Sequence, residues 1–329
     1  MPAPLAIALG DPAGIGPEIV AKSWERREAA GLPPFFAVGD CDAIEAVWQG
    51  PVQAIADPAE AADCFRHALP VVRVGGGNGI SPGTPDLDGA RNSLDALEMA
   101  VGLTRSGAAS GLVTGPVSKS QLYAVGFIHP GQTEFVAERC GVSSELVAMM
   151  LVGPTLRTVP VTVHIPLRDV PEVLTMERII GKARATIRGL QRQFGIDRPR
   201  IAVAGLNPHA GEDGAIGREE IETIIPAIER LREEGHDVAG PYSADTMFHE
   251  RARSRYDAAL CMYHDQALVP IKTLHFDEGV NMTLGLPIVR TSPDHGTAFP
   301  IAGRDQANPG AMIAALQTAA ASAQRIGQA

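Results

Sequence analysis

Cysteine is scarce and scattered. The four residues, Cys41, Cys64, Cys140 and Cys261 among 329, form no CxxC pair. That excludes a disulfide scaffold and reads as reduced thiols in a cytoplasmic protein. Basic residues are the minority, 28 against 38 acidic, for a net charge of −10. A broad nucleic-acid surface needs the opposite balance and is excluded, whereas a small anionic ligand held by a few local cations is not. No apolar run is long enough to cross a bilayer, so no membrane partner is expected. The opening MPAPLAIALGD has no basic residue ahead of its apolar stretch. It reads as a first buried strand rather than a signal peptide. No internal repeat is visible.

What is present is ordinary globular usage, 45% hydrophobic and 20% charged, which excludes bulk disorder. The 35 glycines and 26 prolines punctuate many tight turns. Short apolar runs at 5–9, 35–38, 71–74, 111–114, 158–164, 201–206 and 258–263 alternate with amphipathic stretches. The latter fall at 17–30, 93–104, 133–139, 178–194, 218–234 and 310–324. This alternation predicts an α/β fold with a largely parallel sheet, whose strands are apolar throughout because both faces are covered. The Gly- and Pro-rich stretch 74–88 is expected to be a surface loop. Two α/β domains are expected, 1–128 with 300–329 and 129–299, with a cleft between them.

Several motifs carry chemistry. The run GDPAGIGPE (10–18) links a strand to a helix, with Pro17 suited to the first helical position. It fits either an anion site at a helix N-terminus or a plain tight turn. His164, His209 and His264 each fall at the end of an apolar strand pattern. The carboxyl ends of parallel strands are where α/β proteins place ligands. Three imidazoles delivered there are a divalent-metal donor set, and each alone is also an ordinary loop histidine. Asp245 and Asp265 are candidates to orient such imidazoles. Between 272 and 290, Lys272 offers a point charge, Asn281 a neutral donor and acceptor, and Arg290 a planar fork for phosphate or carboxylate. The small residues of 292–308 allow a ligand close to the backbone, and Asp305 or Asn308 suits a helix cap.

Taken in order, GDPAGIGPE, TGPVSK, HPGQTEF, VTVHIPL, GLNPHAGEDG, GPYSADTMF, YHDQALVPIK, EGVNMTLGLPIVRTSPDHGTA and PIAG resemble the 4-hydroxythreonine-4-phosphate dehydrogenases of vitamin B6 biosynthesis, from about residue 5 to the last helix. The resemblance implies a two-domain α/β dehydrogenase related to the isocitrate and isopropylmalate dehydrogenases. It implies a homodimer with active sites at the subunit interface. It implies NAD as cofactor, with NADP left open, and a divalent metal: zinc, magnesium, cobalt or manganese. The metal ligands it implies are His164, His209 and His264, the last contributed by the partner subunit. Substrate contacts carried over are Thr133, Lys272, Asn281 and Arg290. Gln132 stands where the family has a substrate-contacting histidine; it keeps a donor and an acceptor but cannot become cationic. Lys119 is a proton-transfer candidate, with Asp245 and Asp265 in the same catalytic group. A weaker likeness to decarboxylating dehydrogenases makes His295, Gly296, Ala298 and Asn308 adenosine-side candidates.

The expected reaction is oxidation of the C3 alcohol of 4-phosphooxy-L-threonine, followed by decarboxylation. Two alternatives stay open. One is a paralogue acting on a four-carbon sugar acid phosphate or a dihydrodiol dicarboxylate. The other is a metal-dependent hydrolase needing no NAD.

Overall fold

The computed structural model describes residues 3–76 and 79–328. Gly77 and Asn78, within the loop expected at 74–88, lie outside the described residues. Twelve strands occur among them: β1 (Leu5–Ala8), β2 (Phe35–Gly39), β3 (Val52–Ile55), β4 (Leu69–Arg73), β5 (Gly111–Thr114), β6 (Ala148–Val152), β7 (Arg157–Pro160), β8 (Arg200–Ala204), β9 (Asp237–Tyr242), β10 (Ala258–Cys261), β11 (Val280–Leu284) and β12 (Arg290–Pro293). The longer helices are α1 (Gly16–Glu25), α2 (Leu87–Arg105), α3 (Gln132–Arg139), α4 (Met176–Phe194), α5 (Ile225–Glu233), α6 (His264–Leu274) and α7 (Gly310–Gln328). Among the described residues, no helix is long and apolar enough to cross a membrane.

The chain divides into two compact units, Met1–Cys140 with Pro287–Ala329, and Gly141–Leu286. The divisions expected at 128/129 and 299/300 differ from these by a dozen or so positions. Segment 129–140 stays with the first unit because Phe135 on α3 packs on Phe127 and His129. Segment 287–299 stays there because β12 pairs with β5.

In the first unit the strand order is β3-β4-β2-β1-β5-β12, and every pairing is parallel. Ile7, Phe35, Phe36, Leu112 and Val113 are fully buried. Apolar side chains on both faces explain why these strands read as unbroken apolar runs. The connections leave in opposite directions on either side of β1 and β5. The carboxyl ends of those two strands therefore form the crevice where such sheets bind ligands.

In the second unit the order is β11-β6-β7-β10-β8-β9. Strands β7, β10, β8 and β9 run parallel, while β6 is antiparallel to both its neighbours. Helix α4 begins at a Thr175 cap and ends at Gly195 in the left-handed region, φ 67°. Two expected elements differ. The strand expected through His164 ends at Pro160, although Val161 and Thr162 still donate to the Cys261 and Met262 carbonyls. The helix expected at 218–234 opens as a wide π-type turn, Glu220–Ile224, before α5. Pro226 has no N–H to continue the regular ladder, so the preceding turn widens.

Candidate active site

The second unit brings the three histidines to the carboxyl ends of neighbouring parallel strands. His164 follows β7, His209 follows β8, and His264 opens α6 just after β10. The His164 and His264 rings lie 5.7 Å apart, and both line a cavity of about 270 Å³ with Thr162, Tyr263 and Asp265. Two of the three histidines hold left-handed backbone, His164 at φ 54° and His209 at φ 52°. That conformation is uncommon for a residue with a side chain, and such strain gathers at functional sites. His209 belongs to a run of positive φ from 209 to 214.

Each of two imidazoles is held by a carboxylate. His264 Nδ1 pairs with Asp265 Oδ1 at 2.7 Å, and His209 Nδ1 with Glu212 Oε1 at 2.6 Å. Asp265 therefore stands where an imidazole-orienting carboxylate was expected. For His209 that place is taken by Glu212, which the sequence did not single out; the only signal was its spacing of three from the histidine. Asp245 accepts from Ser243 Oγ instead and acts on His209 through space. The Glu212 hydrogen bond and charge, with Asp245 behind them, raise the His209 pKa. A carboxylate on Nδ1 fixes the ring and leaves Nε2 for a ligand, the usual arrangement around a metal-binding histidine. The donor chemistry thus fits a divalent metal. Among the described residues, however, no three His, Cys, Asp or Glu side chains are gathered closely enough to hold one.

The first unit gathers another group at the carboxyl end of β5. Arg290 is buried at 3% exposure and donates from Nη2 to Thr114 Oγ1 at 2.7 Å and from Nη1 to Thr133 Oγ1 at 3.3 Å. Burial pushes its pKa down to about 10, against the opposing charge of Glu134, so it remains cationic at neutral pH. Gln132 Nε2 donates to the Gly115 carbonyl at 3.1 Å, while its buried Oε1 has no hydrogen-bond partner among the described residues. A Cβ at Gly131 would lie 3.1 Å from Glu134 Oε2 and 3.9 Å from Lys119 Nζ, which puts both side chains beside the Gln132 backbone. Lys119, Gln132, Thr133 and Arg290 are therefore together. Lys272, at the end of α6, and Asn281, on β11 with a buried unpartnered Oδ1, belong to the second unit.

The 292–308 segment packs on α1. Thr297 O accepts from Ile15 N, Glu18 Oε1 accepts from Ala307 N at 2.9 Å, and Lys22 bridges Glu18 and Asp305. The glycine motif 10–18 is thus a packing joint: a Cβ at Gly16 would stand 2.3 Å from Leu9 O. His295 is exposed, Ala298 is left-handed at φ 44°, and Asn308 Oδ1 accepts from Gly310 N at the start of α7. A Cβ at Gly296 would meet nothing within 4 Å, so the backbone there is open to a ligand.

The family described as pyridoxal phosphate biosynthetic protein PdxA matches residues 33–319. The chain belongs to the PdxA family. A 4-hydroxythreonine-4-phosphate dehydrogenase of Zymomonas mobilis is 59% identical over 320 residues, 97% of this chain and 96% of that one. The crystal structure of the Klebsiella pneumoniae enzyme of the same name superposes with a TM-score of 0.87 at 35% identity, covering 98% of this chain and all of the other. A terephthalate 1,2-cis-dihydrodiol dehydrogenase from Burkholderia xenovorans matches with a TM-score of 0.67 at 29% identity, over 98% of both chains. This PdxA-family chain is an enzyme, a dehydrogenase of pyridoxal phosphate biosynthesis with the α/β fold of that family.

Proposed function

We propose that the enzyme oxidises the C3 alcohol of 4-phosphooxy-L-threonine with NAD to 2-amino-3-oxo-4-phosphooxybutanoate, which loses CO₂ to give 3-amino-2-oxopropyl phosphate. The observation that carries this reading is the buried Arg290, aimed by two threonine hydroxyls at the carboxyl end of β5. A planar guanidinium held this way matches the oxygens of a phosphate or carboxylate. Thr133, Lys272 and Asn281 complete the substrate contacts. Lys119, in reach of the same group, is the proton-transfer residue.

His164, His209 and His264 would hold the metal, with Asp265 and Glu212 keeping two of the rings in place. When bound, a divalent metal supplies Lewis acidity and NAD supplies the hydride acceptor. The open backbone at Gly296, with His295, Ala298 and Asn308, is the adenosine side. The β-keto acid product can lose CO₂ because its ketone accepts the electron pair.

The working unit is a homodimer. Val269, Leu274 and Phe276, on and just after the helix that His264 opens, are 61%, 43% and 76% exposed. A second copy of the chain covering them would bring one His264 to the other subunit's site. The test is NADH formation across a panel of 4-phosphooxy-threonine, threonate phosphates and dihydrodiols, with and without metal.

A further inference from the structure

The second unit holds a cavity of about 370 Å³ that the proposed reaction does not use. It lies along edge strand β9 and its neighbour β8, and Ala202, Ala239 and Met247 give it an apolar lining. Tyr256 adds a flat face, its hydroxyl donating to the Met247 carbonyl at 3.0 Å. The lining also includes Arg251 and Arg255, from the run His249-Glu250-Arg251-Ala252-Arg253-Ser254-Arg255. Three arginines thus fall within five residues, in a chain of net charge −10.

The charges around the cavity are unevenly neutralised. Arg200 is clamped by Asp257, Nη2 to Oδ1 at 3.0 Å, and Asp237 adds a second acidic charge near it. Among the described residues, no carboxylate lies within ion-pair distance of Arg251 or Arg255. Two planar forks beside an apolar, partly aromatic wall select for both charge and shape.

We propose that this cavity binds a small organic anion, a carboxylate or phosphate ester on a flat apolar body, with Arg251 and Arg255 gripping the anionic group and Met247 and Tyr256 receiving the body. None of the residues assigned to substrate, metal or nucleotide lines it, so the ligand is held separately from the reaction.

Calorimetric titration of the full-length protein with phenyl phosphate, benzoate and benzyl alcohol tests this. At least one of the two anions should bind saturably at millimolar or lower concentration, and the neutral alcohol should not; which anion binds identifies the group preferred. Arg251→Ser with Arg255→Ser should weaken binding roughly tenfold or more, while Arg290→Met leaves it unchanged. Arg251→Lys with Arg255→Lys keeps the charge without the fork and should fall between, which guards against a fold defect in the serine variant. No saturable binding of either anion would overturn the proposal, as would binding lost in Arg290→Met but kept in the serine variant. Equal binding of benzyl alcohol would also contradict it.

Discussion

Arg290 Nη2 lies 2.7 Å from the hydroxyl of Thr114, a residue 176 positions earlier in the chain. Parallel pairing of β12 with β5 makes that contact possible, and burial raises the cost of losing any polar partner of the guanidinium. Arg290→Lys keeps a charge but loses the fork. It is expected to lower kcat/KM for the phosphorylated substrate by about 10- to 150-fold, the worth of one charge-assisted hydrogen bond. Most of the loss should appear in KM. Steady-state kinetics at saturating NAD checks this, and an unchanged KM would remove Arg290 from the substrate contacts.

Gln132 has one atom left to offer. Its Nε2 is engaged by the Gly115 carbonyl, and a flipped amide would set two oxygens against each other. The remaining Oε1 is an acceptor, so it suits a substrate ammonium or hydroxyl rather than a phosphate dianion, which also only accepts. Gln132→Leu should therefore raise KM for 4-phosphooxy-threonine by about 3- to 10-fold. The same substitution should leave unchanged the inhibition by inorganic phosphate, measured as a competitive constant.

Glu212 holds His209 by Nδ1. Carboxylates in that position typically support metal affinity by about 10- to 100-fold. Glu212→Ala should weaken divalent metal binding by that factor in a chelator competition, with the thermal midpoint of the metal-free protein nearly unchanged. Metal affinity equal to that of the parent would show that Glu212 does not orient a ligand.

Phe276 is 76% exposed and Val269 61%. An isolated surface would leave that apolar area in water at a cost, and a second copy removes it. Sedimentation velocity should show a dimer for the parent and a shift toward monomer for Phe276→Asp.

Asp257 is the counter-ion of Arg200. Its burial favours the neutral carboxyl, but hydrogen bonds from the Arg200 backbone and guanidinium outweigh this and hold its pKa below the ordinary carboxylate range. A depressed folded pKa means that the contribution is present above the unfolded value and lost as pH falls through the folded one. Asp257→Asn should cost about 1 kcal/mol near neutral pH, and urea unfolding should show the difference closing below about pH 4.

Strands β1, β2, β5, β7, β8 and β10 were legible in the sequence because burial on both faces leaves no polar alternation to confuse them, whereas the equally apolar β6 was missed. Edge strand β3 was not legible, since Gln53 and Ala54 are exposed and its pattern is weak. Nor were β11 and β12, whose polar Asn281 and Arg290 read as loop chemistry although both lie on strands. Placement of the histidines at strand ends was visible. Which carboxylate holds which ring was not. The Glu212 contact depends on a left-handed run of six successive residues, 209–214, four of them non-glycine, a conformation that residue propensities do not announce. The grouping of Lys119, Gln132, Thr133 and Arg290 at one strand end is a product of long-range pairing, which local periodicity does not encode.

The reaction proposed for the enzyme is NAD-dependent oxidation of a phosphorylated threonine, with Arg290 assigned to the substrate and the three histidines to the metal. Its most direct test is NADH formation by the metal-loaded enzyme with 4-phosphooxy-L-threonine. The predicted result is saturable NADH formation that disappears in His209→Ala and loses most of its efficiency in Arg290→Lys. Absence of NADH with 4-phosphooxy-threonine, alongside rapid oxidation of a threonate phosphate or a dihydrodiol by the same preparation, would contradict it.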